Sequence, residues 1–469
     1  MSQDPHLNAT RPRRPRFGRR WLLGLVAVAV ALLLLALLRT GPTPELTLTP
    51  TPERIGESTT VRVVAAAGGR GLGGLVAELS QGEETFVLTE QRFAPPPFWS
   101  FWGPRTGETT LELPLGPAHQ EALTEGEATL TVTATGAGTP LRRGPRETLA
   151  VPLEVDTTAP RAAVTSDLNY LRQGGSGVVV YRVSETPARD GVRVGEHFFP
   201  GHPLPDGAEG ERFALFAAPW DAAEPQVAVV VEDAVGNARE TAFLDRYMPR
   251  PPSRDVIELS DGFLEKVVPA VLAGTDEVQA DVDDLLAAYL VINGELRRKN
   301  AAFLADLAAD SRPEFLWSEP FLALPGGARM AGFADRRTYR YQGRDVDQQT
   351  HLGYDLASVR RAPVPAANRG VVVWAEDLGI YGRTVVLDHG YGLLSLYAHL
   401  SSIDVETGET VERGATLGRT GETGLAGGDH LHFSMLLGPV QVDPAEWWDP
   451  AWIRDRIDRK LDDALPYEP

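Results

Sequence analysis

At 469 residues the chain is longer than one hydrophobic core ordinarily serves, so several domains are expected. A formal net charge of −19 with no broad basic patch argues against nucleic-acid binding. The absence of cysteine excludes disulfides, thiol catalysis and zinc-thiolate sites, so any metal must be held by His, Asp or Glu.

Residues 1–20 form a basic tail with Arg11, Arg13, Arg14, Arg16, Arg19 and Arg20, followed by an uncharged run from Trp21 to Leu38. At about 1.5 Å per residue the run spans roughly 27 Å, enough for a bilayer core. It ends Ala36-Leu37-Leu38-Arg39, which lacks a small-x-small cleavage site, so it reads as an uncleaved transmembrane signal-anchor over 21–38. The positive-inside rule keeps the arginines in the cytoplasm and exports the rest. The expected location is the inner membrane, single-pass, with the bulk of the chain periplasmic.

A Thr/Pro-rich lead follows, then a β-rich module over 45–155, where "ATLTVTAT" alternates as a half-buried strand does. Within it "APPPFWSFWGP" sets Phe98, Trp99, Phe101 and Trp102 in a proline-bounded loop; burial of these rings is expected over a glycan-stacking or partner surface. "VDTTAP" at 155–160 reads as a linker, and a second β-module follows over 158–248; "DTTAP" and "EDAVGN" resemble stretches of bacterial immunoglobulin-like modules. Short strands with turn signals imply sandwich-like modules. The period then changes: Leu264, Val267, Val268, Val271 and, later, Leu286, Tyr289, Leu296, Phe303 recur at helical spacing, giving a two-helix linker over 256–310 broken near Gly274. It reads as a spacer or as a lid; as a lid, its removal in a fragment starting near residue 320 would raise activity. From 320 to 450 β-pattern returns, with a hairpin at Tyr391-Gly392, and a helix over 451–469 closes the chain. The fold class is therefore multidomain and mainly β.

Five of the nine histidines lie between 351 and 432. His351 opens "HLGYDLAS" with Asp355 four residues on, at a turn entering a strand. In "LLSLYAHL", Ser395, Tyr397 and His399 alternate with Leu394, Leu396 and Ala398. In "DHLHFSM", His430, His432 and Ser434 share one face. An isolated His-x-His is ordinarily a pair of exposed polar residues; here it stands with three further candidate donors. Two histidines on one regular strand face lie about 7 Å apart, too far to ligate one ion together. His389, at the hairpin turn, reads as structural, and His6, His119, His197 and His202 have no partner in sequence. The set His351, Asp355, His399, His430 and His432 can supply a catalytic zinc site with three ligands and two histidines to spare.

"HLGYD", "YAHLS" and "GDHLHF", in this order, resemble the three signatures of the lysostaphin-type zinc endopeptidases, which cut peptidoglycan cross-bridges; the likeness extends over about 325–445. The resemblance implies a C-terminal antiparallel β metallopeptidase domain, Zn2+ held by His351, Asp355 and His432, and His399 and His430 as catalytic histidines beside it. It implies a peptidoglycan-peptide substrate and cell-wall or division-complex protein partners. Ala334 stands where the family often has glycine, and reads as lying away from the site. Some family members have lost ligands and only regulate other hydrolases; all five positions are intact here. A zinc peptidase acting on proteins, and a latent regulatory module, are the alternatives.

Overall fold

The computed structural model describes residues 19–100, 102–317, 319–461 and 465. Arg11, Arg13, Arg14 and Arg16 of the basic tail lie outside the described residues, as do Phe101 and most of the last seven residues; nothing is described of the side chains of Arg19 and Arg20. Arg19–Leu38 is one helix, and its window Trp21–Leu38 is long and apolar enough to cross a membrane. The architecture is mainly β, in two compact units.

The first unit holds a three-stranded and a five-stranded antiparallel-rich sheet over one core that includes Val61, Val63, Leu75, Leu130 and Val132. Alternation does what it promised in Gly126–Gly136, where Leu130, Val132 and Ala134 are buried while the threonines between them are not. The aromatic loop departs from expectation. Trp99 is 64% and Trp102 83% exposed. The loop is held by its backbone: the buried guanidinium of Arg70 donates to Pro96 O at 2.7 Å and Pro97 O at 3.4 Å, so the rings are not needed to pack it.

In the second unit, residues 159–248 form two four-stranded sheets and a short pair, Tyr170–Arg172 with Arg246–Met248. This region and the C-terminal domain share one continuous core, running from Val178, Phe213 and Phe216 to Trp317, Phe433 and Trp447. The closing helical turns, Pro444–Trp448 and Pro450–Ile453 onward, seal the joint: Trp447 Nε1 donates to Ser176 Oγ at 3.0 Å, and Lys460 Nζ to Val178 O at 2.9 Å.

Glu446 sits in this joint, accepting the Ser176 N–H at 2.8 Å. Burial pushes its carboxyl up to about 7. A carboxyl raised in the folded state holds a proton that the unfolded chain releases near the ordinary value of about 4.3. Its stabilising share is therefore complete at pH 4 and is lost as pH rises through 7. Because the residue keeps some exposure, the loss should be roughly 1–2 kcal/mol rather than the full equivalent of the shift. Glu446→Gln should then melt with the parent at pH 5 and above it at pH 8. Parallel melting curves in calorimetry at both pH values would show that the carboxyl stays solvated.

The centre of the C-terminal domain is an eight-stranded sheet. Its path runs Ala328–Ala331, Tyr354–Ala357, Leu431–Leu437, Leu393–Ala398, Arg383–Asp388, Gly370–Asp377, Thr410–Val411, with Val440–Val442 paired to Leu431–Leu437. Both faces of the central strands are buried. Tyr397, Phe433 and Met435 belong to the core shared with residues 159–248, while Leu394, Leu396, Ala398 and Leu436 belong to a second core.

That second core is completed by the helical segment. Helix Asp261–Ala273 starts at Ser260, whose Oγ accepts the Phe263 N–H, and stops at Gly274. Leu285–Val291 runs through a π turn, Ile292–Leu296, into Arg297–Ala309. Leu264, Val267, Val268, Tyr289, Ile292, Leu296 and Leu304, each 2% exposed or less, pack with Val386, Leu394, Leu396 and Leu436 of the sheet. The strand Ser253–Leu259 ahead of the helices pairs parallel to Asp335–Tyr341, which pairs in turn with Arg344–His351. The segment read as a linker thus roofs one face of the sheet.

Candidate metal centre

Three donor atoms converge. His351 Nε2 is 3.0 Å from Asp355 Oδ1, His432 Nδ1 is 3.0 Å from the same oxygen, and the two nitrogens are 3.0 Å apart. Asp355 and His432 lie on neighbouring inner strands, Asp355 opposite His432 and His432 opposite Ala398, while His351 ends the strand Arg344–His351. A tetrahedral zinc site with bonds of about 2.0–2.1 Å has donors about 3.3 Å apart, close to this triangle.

The outward partners decide where the protons are. His351 Nδ1 lies 2.8 Å from Gly332 O, which can only accept, so Nδ1 carries the hydrogen and Nε2 turns a lone pair inward. Ser434 Oγ spends its hydrogen on Leu352 O at 2.7 Å and so accepts from His432 Nε2–H at 2.9 Å, leaving a lone pair on Nδ1. Two lone pairs and a carboxylate oxygen then face one point with no hydrogen between them. Such a set is satisfied by a cation, and a hydrogen bond from the ring nitrogen that faces away from the site is what fixes a metal-ligating histidine. His351, Asp355 and His432 therefore fit a divalent metal by the chemistry of the donor set.

Charge agrees with this. Burial lowers His432 to about 4, so it is neutral. Burial pushes Asp355 up, but its close polar contacts with His351, His430 and His432 outweigh this and hold the carboxyl well below its usual range. Neutral imidazole and ionised carboxylate are the forms that bind metal. Asp355 Oδ2 is occupied by Arg337 Nη2 at 2.8 Å, which leaves only Oδ1 for the triangle.

His399 and His430 stand beside it. Their ring centroids are 4.9 Å apart, and His399 is 5.8 Å from His432. Each has its Nδ1 against a carbonyl, Thr423 O at 2.8 Å and Gly428 O at 2.7 Å, so each turns Nε2 to the site. His430 Nε2 is 3.6 Å from Asp355 Oδ1. Burial lowers His430, but the hydrogen bond and charge of Asp355 outweigh it and raise it; burial, then the neighbouring His430 and His432, hold His399 well below its usual value.

Three expectations need correction. Alternation places His399 with Ser395 and Tyr397; but Tyr397 pairs with Phe433, and paired residues share a face, so strict alternation would aim His399 away from His432. The strand ends at Ala398, and His399 takes φ +63, which swings its ring to the metal side. A non-glycine residue in this region is uncommon and is held here by His399 N–H donating to Tyr381 O at 2.9 Å. Ala334 is also not remote: its N–H donates to His351 O at 2.7 Å and its φ is +65, the left-handed conformation that explains a preference for glycine there. His430 lies just before the strand Leu431–Leu437, bridged to Gly421, so the regular-strand spacing does not apply to it in full. His389 is buried between Arg369 O and Ser395 Oγ, away from the triangle, and burial lowers it to about 4.

Ser434 and Arg337 were not singled out as site residues in the sequence. Ser434 carried a signal, since it shares a face with His432; Arg337 carried none. Tyr381, beside His432 at 5.5 Å between centroids, is placed from the roof: Asn300 Oδ1, buried, accepts the Ile380 N–H at 3.0 Å.

Gly353 lets the triangle close. A Cβ there would lie 2.6 Å from Phe433 O and from Ser434 Oγ, and 2.7 Å from His432 Cε1. Gly353→Ala should therefore push His432 and its serine out of place and weaken divalent-metal binding by at least about tenfold, since disturbing the partner that orients a ligating histidine costs about 10–100-fold in affinity. Competition against a chromophoric chelator measures it; an unchanged affinity in the folded variant would mean the close approach relaxes at no cost.

Residues 349–444 match Peptidase family M23. Over 94 residues the chain is 36% identical to DD-carboxypeptidase/endopeptidase Mpg of Neisseria meningitidis serogroup B, covering 20% of this chain and 22% of that protein. Over 87 residues it is 38% identical to Peptidoglycan DD-endopeptidase ShyA of Vibrio cholerae, covering 19% and 20%. The chain thus spans about a fifth of the length of these curated relatives. The catalytic domain of lysostaphin from Staphylococcus simulans is similar over 27% of this chain and 94% of its own, at 25% identity and a TM-score of 0.24.

Proposed function

We propose, from the premise of a C-terminal domain of peptidase family M23, that the protein is a membrane-anchored zinc endopeptidase that cuts peptide cross-links or stem peptides of peptidoglycan on the periplasmic side of the inner membrane. The observation that carries it is the triangle of His351, Asp355 and His432, with its lone pairs turned inward and two further histidines beside it. Relatives named as peptidoglycan endopeptidases support the substrate, and the apolar helix Trp21–Leu38 supports the anchor.

His351, Asp355 and His432 would hold the metal. Bound zinc would polarise the scissile carbonyl and acidify water. His430 accepts the proton of the attacking water at Nε2, its Nδ1–H being anchored on Gly428 O. His399, fixed by Thr423 O and its own backbone, places Nε2 where negative charge develops on the carbonyl oxygen. Arg337 holds Asp355 Oδ2, which leaves Oδ1 facing the site.

The test uses the full chain in detergent, loaded with zinc, on cross-linked sacculi, with mass spectrometry of the released fragments and casein as the protein control. Release of new peptide ends from sacculi, absent from a chelator-treated sample, is the expected result. Cleavage of casein alone would favour a protein substrate, and no cleavage of either by zinc-loaded protein would favour a regulatory role. In cells, an export-dependent reporter fused after residue 60 should be active and the protein should sediment with membranes; a soluble form starting near residue 40 would mean the helix is removed.

A further inference from the structure

The metal triangle lies at the junction of two lobes of one groove. His351, His432, Tyr381, Arg297 and Arg337 line both. The lobe of about 480 Å3 mixes apolar side chains, Ile257, Leu259, Phe263 and Ile380 among them, with the carboxylates Glu258 and Asp355. The other, of about 530 Å3, is lined by Arg297, Arg298, Arg336 and Arg337 and by no aspartate or glutamate. This is unusual in a chain with 64 acidic against 45 basic residues.

The arginines come from different elements. Arg297 and Arg298 follow the π turn of the roof, and Arg336 and Arg337 lie on the strand Asp335–Tyr341. The π turn supports Arg297: its guanidinium donates to Asn293 O at 3.1 Å and Asn293 Oδ1 at 2.6 Å, and buried Asn293 is tied to Asp347 at 2.7 Å. Arg297, Arg298 and Arg336 form no ion pair among the described residues, and Arg337 Nε–H, buried, has no acceptor. Cations held around a cavity without carboxylates are suited to an anionic ligand, and guanidinium forks match carboxylates in particular.

We propose that this arginine-lined lobe is a carboxylate-binding subsite that seats an anionic part of the peptide on one side of the scissile bond, so that the protein favours peptides with free carboxylates over amidated ones. The inference rests on the endopeptidase reading for its peptide, but its own signature is charge discrimination in binding. The roof helices would then help select substrate as well as pack the sheet.

The probe is a cross-linked stem-peptide dimer with its carboxylates free, and the same dimer amidated at those positions. Calorimetric binding to the metal-free full chain in detergent avoids turnover. The free form should bind about tenfold more tightly, a gap that narrows with salt. Charge reversal at the two exposed positions, Arg298→Glu with Arg336→Glu, should close the gap to within about twofold, with the unchanged melting temperature showing a folded protein. A parent protein that binds both dimers alike, or a variant that keeps the tenfold gap, overturns the subsite. Cleavage of both dimers without discrimination would leave the endopeptidase and remove the subsite; discrimination in binding without cleavage would leave the subsite and remove the endopeptidase.

Discussion

His432→Ala should lose most zinc and all hydrolysis, whereas His430→Ala should keep near-stoichiometric zinc and lose on the order of a hundredfold or more in rate. The two residues are one position apart and their environments differ. His432 Nδ1 lies within 3.0 Å of both other donors, with its Nε2–H fixed by Ser434. His430 Nε2 is 3.6 Å from Asp355 Oδ1 and its ring is anchored through Nδ1 on Gly428 O, so its removal leaves three donors in place. Metal content by atomic emission and sacculus digestion on the same preparations separate the roles. Equal zinc loss in both folded variants would make His430 a ligand; full activity in His430→Ala would make it a bystander.

A fragment starting near residue 320 should fail to fold, instead of gaining the activity that release of a lid would bring. It lacks Leu264, Val267, Val268, Tyr289, Ile292, Leu296 and Leu304, all buried against the sheet. At roughly 1.5–3 kcal/mol for each fully buried side chain, their loss exceeds about 10 kcal/mol. That is the size of a whole domain's stability, about 5–15 kcal/mol. It would also bare Val386, Leu394, Leu396 and Leu436. Insoluble protein, or a soluble form without a cooperative melt that binds a hydrophobic dye, is expected. Leu296→Asp in the full chain makes the same case with one residue: a charge placed in that core should unfold the catalytic domain and release zinc. A fragment that melts cooperatively near the temperature of the full chain and holds zinc would return the helices to the role of a spacer.

The identities of the metal-centre candidates were legible in sequence because chemistry constrains them locally. A chain without cysteine has few ways to hold zinc, and His351-x-x-x-Asp355 and His430-x-His432 put the donors in short stretches whose type does not depend on the fold. The helices and the alternating strands were legible for a similar reason, since apolar period follows from which face is covered. Periodicity does not say what covers it. That Leu264 and Leu296 face Leu394 and Leu436, making a supposed linker the roof of the sheet, depends on contacts more than 90 residues apart along the chain, as does the core shared by Phe213 and Trp447. The aim of His399 was likewise settled outside its own strand: a left-handed residue, paid for by Tyr381 O, which the roof positions through Asn300, overrides the two-residue alternation. The arginine lobe was invisible for the same reason, because Arg297 and Arg337 have no relation in sequence and share a groove only once helix and strand are packed. Residue type and spacing determined which groups are available for chemistry here; only tertiary packing decided which way each one points and what charge it meets.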